Sequence, residues 1–301
     1  MLMFQDGHIP LGNFRNLKNK IQYHHEIQKS IYGDYSHIIF SEFKEIYAVY
    51  YSGENAITEN PEGYINFFFG KEISIININK IIKLVLNTIE KNEQLFCIYI
   101  SLFSEDESYQ AQYIENENYK LINAALSSIF VKKDLEQSPK IKENNMDYEL
   151  ELCEPDDKEN VLKCIEEAYF NGTETDLYKN IGIDGFKKNI RDYYENILDD
   201  YHVFIAKHNG YFCGHITYEV REGNANLIDV YSLENHKVND FLSEESEYIM
   251  RTKNVKKIEG SVKVVNNNTQ RTFDILLNIT KKDWDIDGLL FNLKVGKFSD
   301  E

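Results

Sequence analysis

Two neighbouring segments bring together residue types that can move a proton. Along Tyr211–Val220, a period of two puts Cys213, His215, Thr217 and Glu219 on one face of a strand. Phe212, Gly214, Ile216, Tyr218 and Val220 then fall on the other face. In the following segment Leu227, Asp229, Tyr231 and Leu233 share a face by the same count. Glu219, Asp229 and His215 thereby become candidate general bases that could take a proton from an ammonium group. A solvated sheet edge carries the same residue types, and the sequence leaves both readings open.

The elements that must hold these residues follow one another in a clear order. Tyr201–Lys207 and Tyr211–Val220 flank His208-Asn209-Gly210, and an Asn-Gly pair supplies the two positive-φ residues of a tight hairpin turn. A polar turn, Arg221–Asn224, leads into the strand Ala225–Leu233. Val238, Phe241, Leu242, Tyr248 and Ile249 then lie close to one helical face, and Lys256–Val265 reads as a buried strand. Upstream, Tyr148–Leu152 alternates as a strand. Asp156 with Glu159 forms a capping-box pattern before a helix whose apolar face is Val161, Cys164, Ile165, Ala168 and Tyr169. Phe186, Ile190, Tyr193, Tyr194 and Ile197 mark a second helix. Asn266–Ile279 reads as a capped helix and Gly288–Val295 as a closing strand.

The first half repeats much of this succession. Strands are expected over 35–40, 46–51 and 64–69, followed by a helix with Ile78, Ile81, Ile82, Val85, Leu86 and Ile89 in one stripe. The apolar run Leu95–Leu102 fits a strand covered on both faces. A helix over 106–116 and a strand over 125–131 complete it. A polar stretch containing Pro139 separates the halves.

Composition narrows the function classes. The net charge is −17, with 13 basic against 18 acidic residues in 1–140 and 20 against 32 in 141–301. Such a chain repels a phosphate backbone, so nucleic acid is not an expected partner. No apolar run is long enough to span a bilayer, and the N-terminus lacks a secretory pattern, which makes the cytoplasm the expected compartment. Cys97, Cys153, Cys164 and Cys213 are scattered without a Cys-x-x-Cys pair. No nucleophile elbow, Walker loop, dinucleotide fingerprint or metal-ligand pair is present.

The order strand–helix–helix–strand–strand–strand–helix–strand–helix–strand over residues 148–295 resembles the GCN5-related N-acetyltransferase (GNAT) family. Tyr113-Ile-Glu-Asn-Glu-Asn-Tyr119 is similar to the Phe-Tyr-Glu-x-x-Gly-Phe stretch that ends the last helix of many such domains. The resemblance implies an α/β fold with a mixed sheet, built as two GNAT-like lobes in tandem. Residues 1–137 would form a truncated first lobe, 138–147 a linker and 148–301 a complete C-terminal domain.

The family transfers an acyl group from coenzyme A to an amine, so the resemblance implies acetyl-CoA or another acyl-CoA as co-substrate, without a metal. It further implies a small-molecule or peptide amine as acceptor, and a homodimer among the assemblies such lobes form. At Val230-Tyr231-Ser232 the family's strand splays, and the Tyr231 backbone N–H would polarise the thioester carbonyl. The phosphate loop corresponds to Glu234–Leu242, with His236 in the Gln/Arg position, Asn239 at the first glycine and Phe241 at the second. Asn267 matches the family's Asn at the next helix start. Phe241 would crowd a phosphate there and Asp240 would repel it. The alternative is therefore a non-catalytic GNAT-like protein that binds without coenzyme A.

Overall fold

The computed structural model describes residues 3–5, 17–22, 24, 37–40, 46–70, 79–83, 95–105, 125–135, 147–233, 236–263 and 283–294. The helices expected over 106–116 and 266–279 lie outside these, as does Asn267. Two compact units are present. One comprises residues 1–55, 60–131 and 262–301, and the other residues 56–59 and 132–261.

The first unit is a sheet of β1 (Met3–Gln5), β2 (His37–Phe40), β3 (Ile46–Glu54), β4 (Pro61–Phe69), β5 (Cys97–Ser104), β6 (Ala125–Asp134) and β12 (Asp285–Lys294). The strands β1 to β4 pair antiparallel in sequence order, and β4 then pairs parallel with β5. That parallel ladder runs unbroken through eight residue pairs, Glu62↔Cys97 to Phe69↔Ser104. Tyr51, Tyr64 and Tyr99 stack across it, with centroids 4.8 and 5.1 Å apart. The Tyr64 hydroxyl donates to the buried Glu62 at 2.6 Å, and burial together with that carboxylate drives the phenol strongly upward in pKa. Leu17, Ile21, Tyr47, Val49, Phe68 and Phe103 make the core.

Residues 285–294, read from the sequence as closing the C-terminal domain, instead pair antiparallel with β5 from Leu289↔Leu102 to Lys294↔Cys97. The apolar run of β5 needs a neighbour on both edges as well as cover on both faces, and β12 supplies the second edge. Gly288 permits the approach, because a Cβ there would stand 2.5 Å from the Phe103 ring.

In the second unit, β7 (Glu149–Leu152), β8 (His202–His208), β9 (Tyr211–Arg221) and β10 (Asn224–Ser232) pair antiparallel in sequence order. Next, β11 (Lys257–Lys263) pairs parallel with β10. The expected hairpin turn is present, with Asn209 at φ 51° and Gly210 at φ 77°, and Glu222-Gly223 makes a second one in the same way.

Helices α1 (Lys158–Gly172) and α2 (Gly182–Ile197) cover one face of this sheet. Val161, Leu162 and Ile165 of α1 meet Phe186, Ile190 and Tyr194 of α2 over Val203 and Ile205 of β8. The capping box does not form. A 3₁₀ turn, Pro155–Asp157, precedes α1, and the Asp157 carboxylate pairs with Lys207 at 3.0 Å. Helix α3 (His236–Thr252) buries Val238, Phe241, Leu242 and Met250, and its Ser246 hydroxyl lies 3.0 Å from that of Tyr218 on β9. Among the described residues no helix is long and apolar enough to cross a membrane.

Candidate active site

The parallel pairing of β10 with β11 ends early. It joins Asn224↔Lys257, Ala225↔Ile258 and Asn226↔Glu259 and then stops, although β10 continues to Ser232. The cause lies one residue further on. The register against β9 passes from Leu227↔Tyr218 to Asp229↔Thr217, so Ile228 is an extra residue, a β-bulge. A bulge bends its strand and sharpens the local twist, which turns the end of β10 away from β11. In the first unit β4 and β5 carry no such break and stay paired for their whole length.

What β10 exposes toward β11 follows from its contacts with β9. The Leu233 N–H donates to the Cys213 carbonyl at 2.8 Å. The Tyr231 carbonyl is also turned to β9, since a Cβ on Gly214 would stand 2.5 Å from it. Amide groups alternate sides along a strand, so residues 231 and 233 face β9. The N–H groups of Val230 and Ser232 therefore point the other way, to the side β11 has left. This corrects the expectation for Tyr231, whose backbone is engaged by β9. The amides on the open side are those of Val230 and Ser232.

The bulges also rearrange the faces. Leu227 sits opposite Tyr218, whereas Asp229 and Tyr231 sit opposite Thr217 and His215. Leu227 is thus on the α3 face, not with Asp229 as simple alternation gives. A register shift between Ala206 and Lys207 makes Cys213 an extra residue and brings Phe212 to the α1–α2 face.

Two of the three candidate bases, His215 and Asp229, converge, and Tyr231 lies beside them. His215 is fully buried; its Nδ1 lies 3.1 Å from the Thr217 hydroxyl and its Nε2 3.4 Å from Asp229 Oδ2. Burial pushes the imidazole down to about 3, so the ring is neutral at pH 7. Asp229 keeps its side chain 20% exposed. The Tyr231 hydroxyl donates to Glu167 Oε2 on α1 at 3.1 Å, and burial with that hydrogen bond raises its pKa. Glu219 stands apart. It pairs with Asn226, five residues before Tyr231 and about 15 Å away at the usual rise per residue, and its carboxylate is held by Arg221.

Glu167, Cys164, Tyr169 and Tyr194 belong to the same cluster and were not singled out by sequence reasoning. The Tyr169 and Tyr194 hydroxyls lie 2.6 Å apart, and burial raises both phenols. Burial and the charges of Glu167 and Asp229 lift the Cys164 thiol to about 12. The available signal was two tyrosines at core-facing helix positions, because a buried phenol must find a polar partner.

Residues 236–241 are helical, so His236 and Asn239 occupy the first turn of α3 and not a loop. Phe241 is 6% exposed, with its ring 5.5 Å from that of Tyr148, and so packs into the core away from the helix mouth. The physical reason is the spacing of Val238, Phe241 and Leu242, which continues the helix through the segment. No acidic side chain lies in the first turn of α3, whose N–H groups favour an anion. Asn239 Oδ1 is buried there without a hydrogen-bond partner. Only three residues, 233–235, connect β10 to α3.

No family model and no curated protein matches the sequence. Solved structures do. A GCN5-related N-acetyltransferase from Sphaerobacter thermophilus superposes with a TM-score of 0.56 at 9% identity, over 97% of this chain and 95% of that one. A GNAT-family acetyltransferase from Colwellia psychrerythraea gives 0.45 at 10% identity, over 98% and 99%. A tandem GNAT protein from the clavulanic acid biosynthesis pathway gives 0.42 at 11% identity, over 86% and 82%. The likeness to the Sphaerobacter structure spans nearly all of both chains, and its fold, that of a GCN5-related N-acetyltransferase, is the fold of this protein.

Proposed function

We propose that this GNAT scaffold transfers an acyl group from an acyl-CoA to an amine, and that the second unit alone does so. The observation that carries the reading is the contrast between the parallel pairs. β10 and β11 share three residue pairs and then part, whereas β4 and β5 share eight. Among the described residues, it is therefore the second unit that offers a backbone N–H, that of Val230, beside an opening along a strand. A pantetheine arm lying in that opening would bring its thioester carbonyl to this donor, which gains strength as charge develops on the oxygen. The α3 N-terminus, free of acidic side chains in its first turn, would take the phosphates.

On the acceptor side, Asp229 receives a proton from the incoming ammonium. The neutral His215 lies beside that carboxylate, and Tyr231, held by Glu167, borders the nitrogen's approach. The amine nitrogen bonds to the acyl carbon as the carbon–sulfur bond breaks. Its second proton passes to the departing thiolate.

A second reading, a protein that binds without transferring, draws on the three-residue connection ahead of α3, which leaves little backbone to wrap a pyrophosphate. Thermal melting separates the two. Acetyl-CoA or a longer acyl-CoA at 100 times its dissociation constant adds about 2.7 kcal/mol to the stability of a protein that holds it. We expect such a shift with at least one donor. Absence of a shift with either at millimolar concentration leaves the binding reading.

A further inference from the structure

We infer that the acceptor side of the second unit selects a dicationic amine, a diamine or polyamine without a carboxylate. The inference rests on the transferase reading and names the acceptor class for the same site. Two carboxylates from different elements converge there, Asp229 from β10 and Glu167 from α1, and both act on Cys164 and Tyr231. The neighbouring glutamates of α1 are neutralised, Glu159 by Arg191 at 2.8 Å and Glu166 by Lys187 at 3.1 Å. Glu167 has no such ion pair among the described residues, and its recorded partner is the Tyr231 hydroxyl.

A separate observation points to a ligand. His215 is fully buried, and its Nε2, directed at Asp229, has no hydrogen-bond partner. A buried polar atom left in this state costs stability, so the site is held for something that binds beside it. The Tyr231 hydroxyl and the Tyr169–Tyr194 hydroxyl pair add oxygen acceptors, which suit ammonium groups. In a diamine, one ammonium meets Asp229 and is acylated while the other meets Glu167. An α-amino acid would bring a carboxylate against these two and be repelled, and a monoamine would leave Glu167 unmatched.

The test uses the full chain with acetyl-CoA and three matched acceptors: 1,4-diaminobutane, ornithine (the same diamine with a carboxylate) and butylamine, with spermidine as a longer polyamine. We expect kcat/KM for diaminobutane or spermidine to exceed that for ornithine and butylamine by about 100-fold. Glu167→Gln should reduce that advantage about tenfold, mainly through KM, while the acetyl-CoA melting shift is retained. Ornithine or butylamine used as well as the diamine overturns the inference, as does an unchanged ratio in Glu167→Gln. Melting with spermidine alone covers the case in which acyl-CoA itself fails to bind. A rise with spermidine and none with ornithine upholds the dication site, and equal responses overturn it even where the transferase reading has already fallen.

Discussion

Asp229→Asn is expected to lower kcat/KM for acyl transfer by about 10²–10⁴-fold at pH 7, the range for loss of a positioned general base. The substitution keeps the shape of the side chain beside His215 Nε2 and removes its ability to accept a proton. Asp229 lies on the α1–α2 face of β10, whereas the proposed coenzyme side is that of the Val230 amide and the α3 N-terminus. The dissociation constant for acyl-CoA should therefore stay within about twofold, read by melting or calorimetry. A variant with less than about fivefold loss of transfer removes Asp229 as the base. Glu219→Gln is the control: its carboxylate is held by Arg221 well away from the cluster.

The second large effect is on stability. Phe186 is fully buried on α2, with its ring stacked 4.4 Å from that of Tyr178, and it belongs to the core that fixes α1 and α2 on the sheet. Phe186→Ala removes a whole ring and leaves a cavity, at a cost of about 3–5 kcal/mol. Urea unfolding of the full chain, followed through the transition of the second unit, gives the value. The same variant should weaken transfer, because Tyr194 on α2 carries half of the Tyr169–Tyr194 hydroxyl pair that backs the acceptor cluster. A loss below about 1 kcal/mol would show that α2 is not anchored through this residue.

Much of the scaffold was legible in the sequence, because burial imposes periods. The strand over Tyr211–Val220, the helices α1 and α2 with their apolar stripes, and the Asn209-Gly210 turn each follow from local geometry, and each is present. What escaped depends on single residues without a side-chain signature. Ile228 and Cys213 are extra residues in their strands, and nothing in an Ile or a Cys announces a bulge. Uninterrupted alternation therefore placed Leu227 beside Asp229, while the expectation for the Tyr231 amide came from the family resemblance, which carries no sign of the bulge either. Over 236–242 the sequence offered two readings, a family correspondence to a phosphate loop and the helical spacing of Val238, Phe241 and Leu242, and the residues from His236 are helical, with that stripe buried. The destination of β12 was hidden as well, since an apolar strand does not state which open edge it will complete.

Residue-resolved amide hydrogen exchange at Val230, with and without acetyl-CoA, bears most closely on the splayed strand. Without the co-substrate the Val230 amide should exchange far faster than that of Tyr231, and saturating acetyl-CoA should slow it while leaving β4 unchanged. A Val230 amide already as protected as the ladder amides of β4 would mean that β10 and β11 are joined throughout, and the transferase account would not stand.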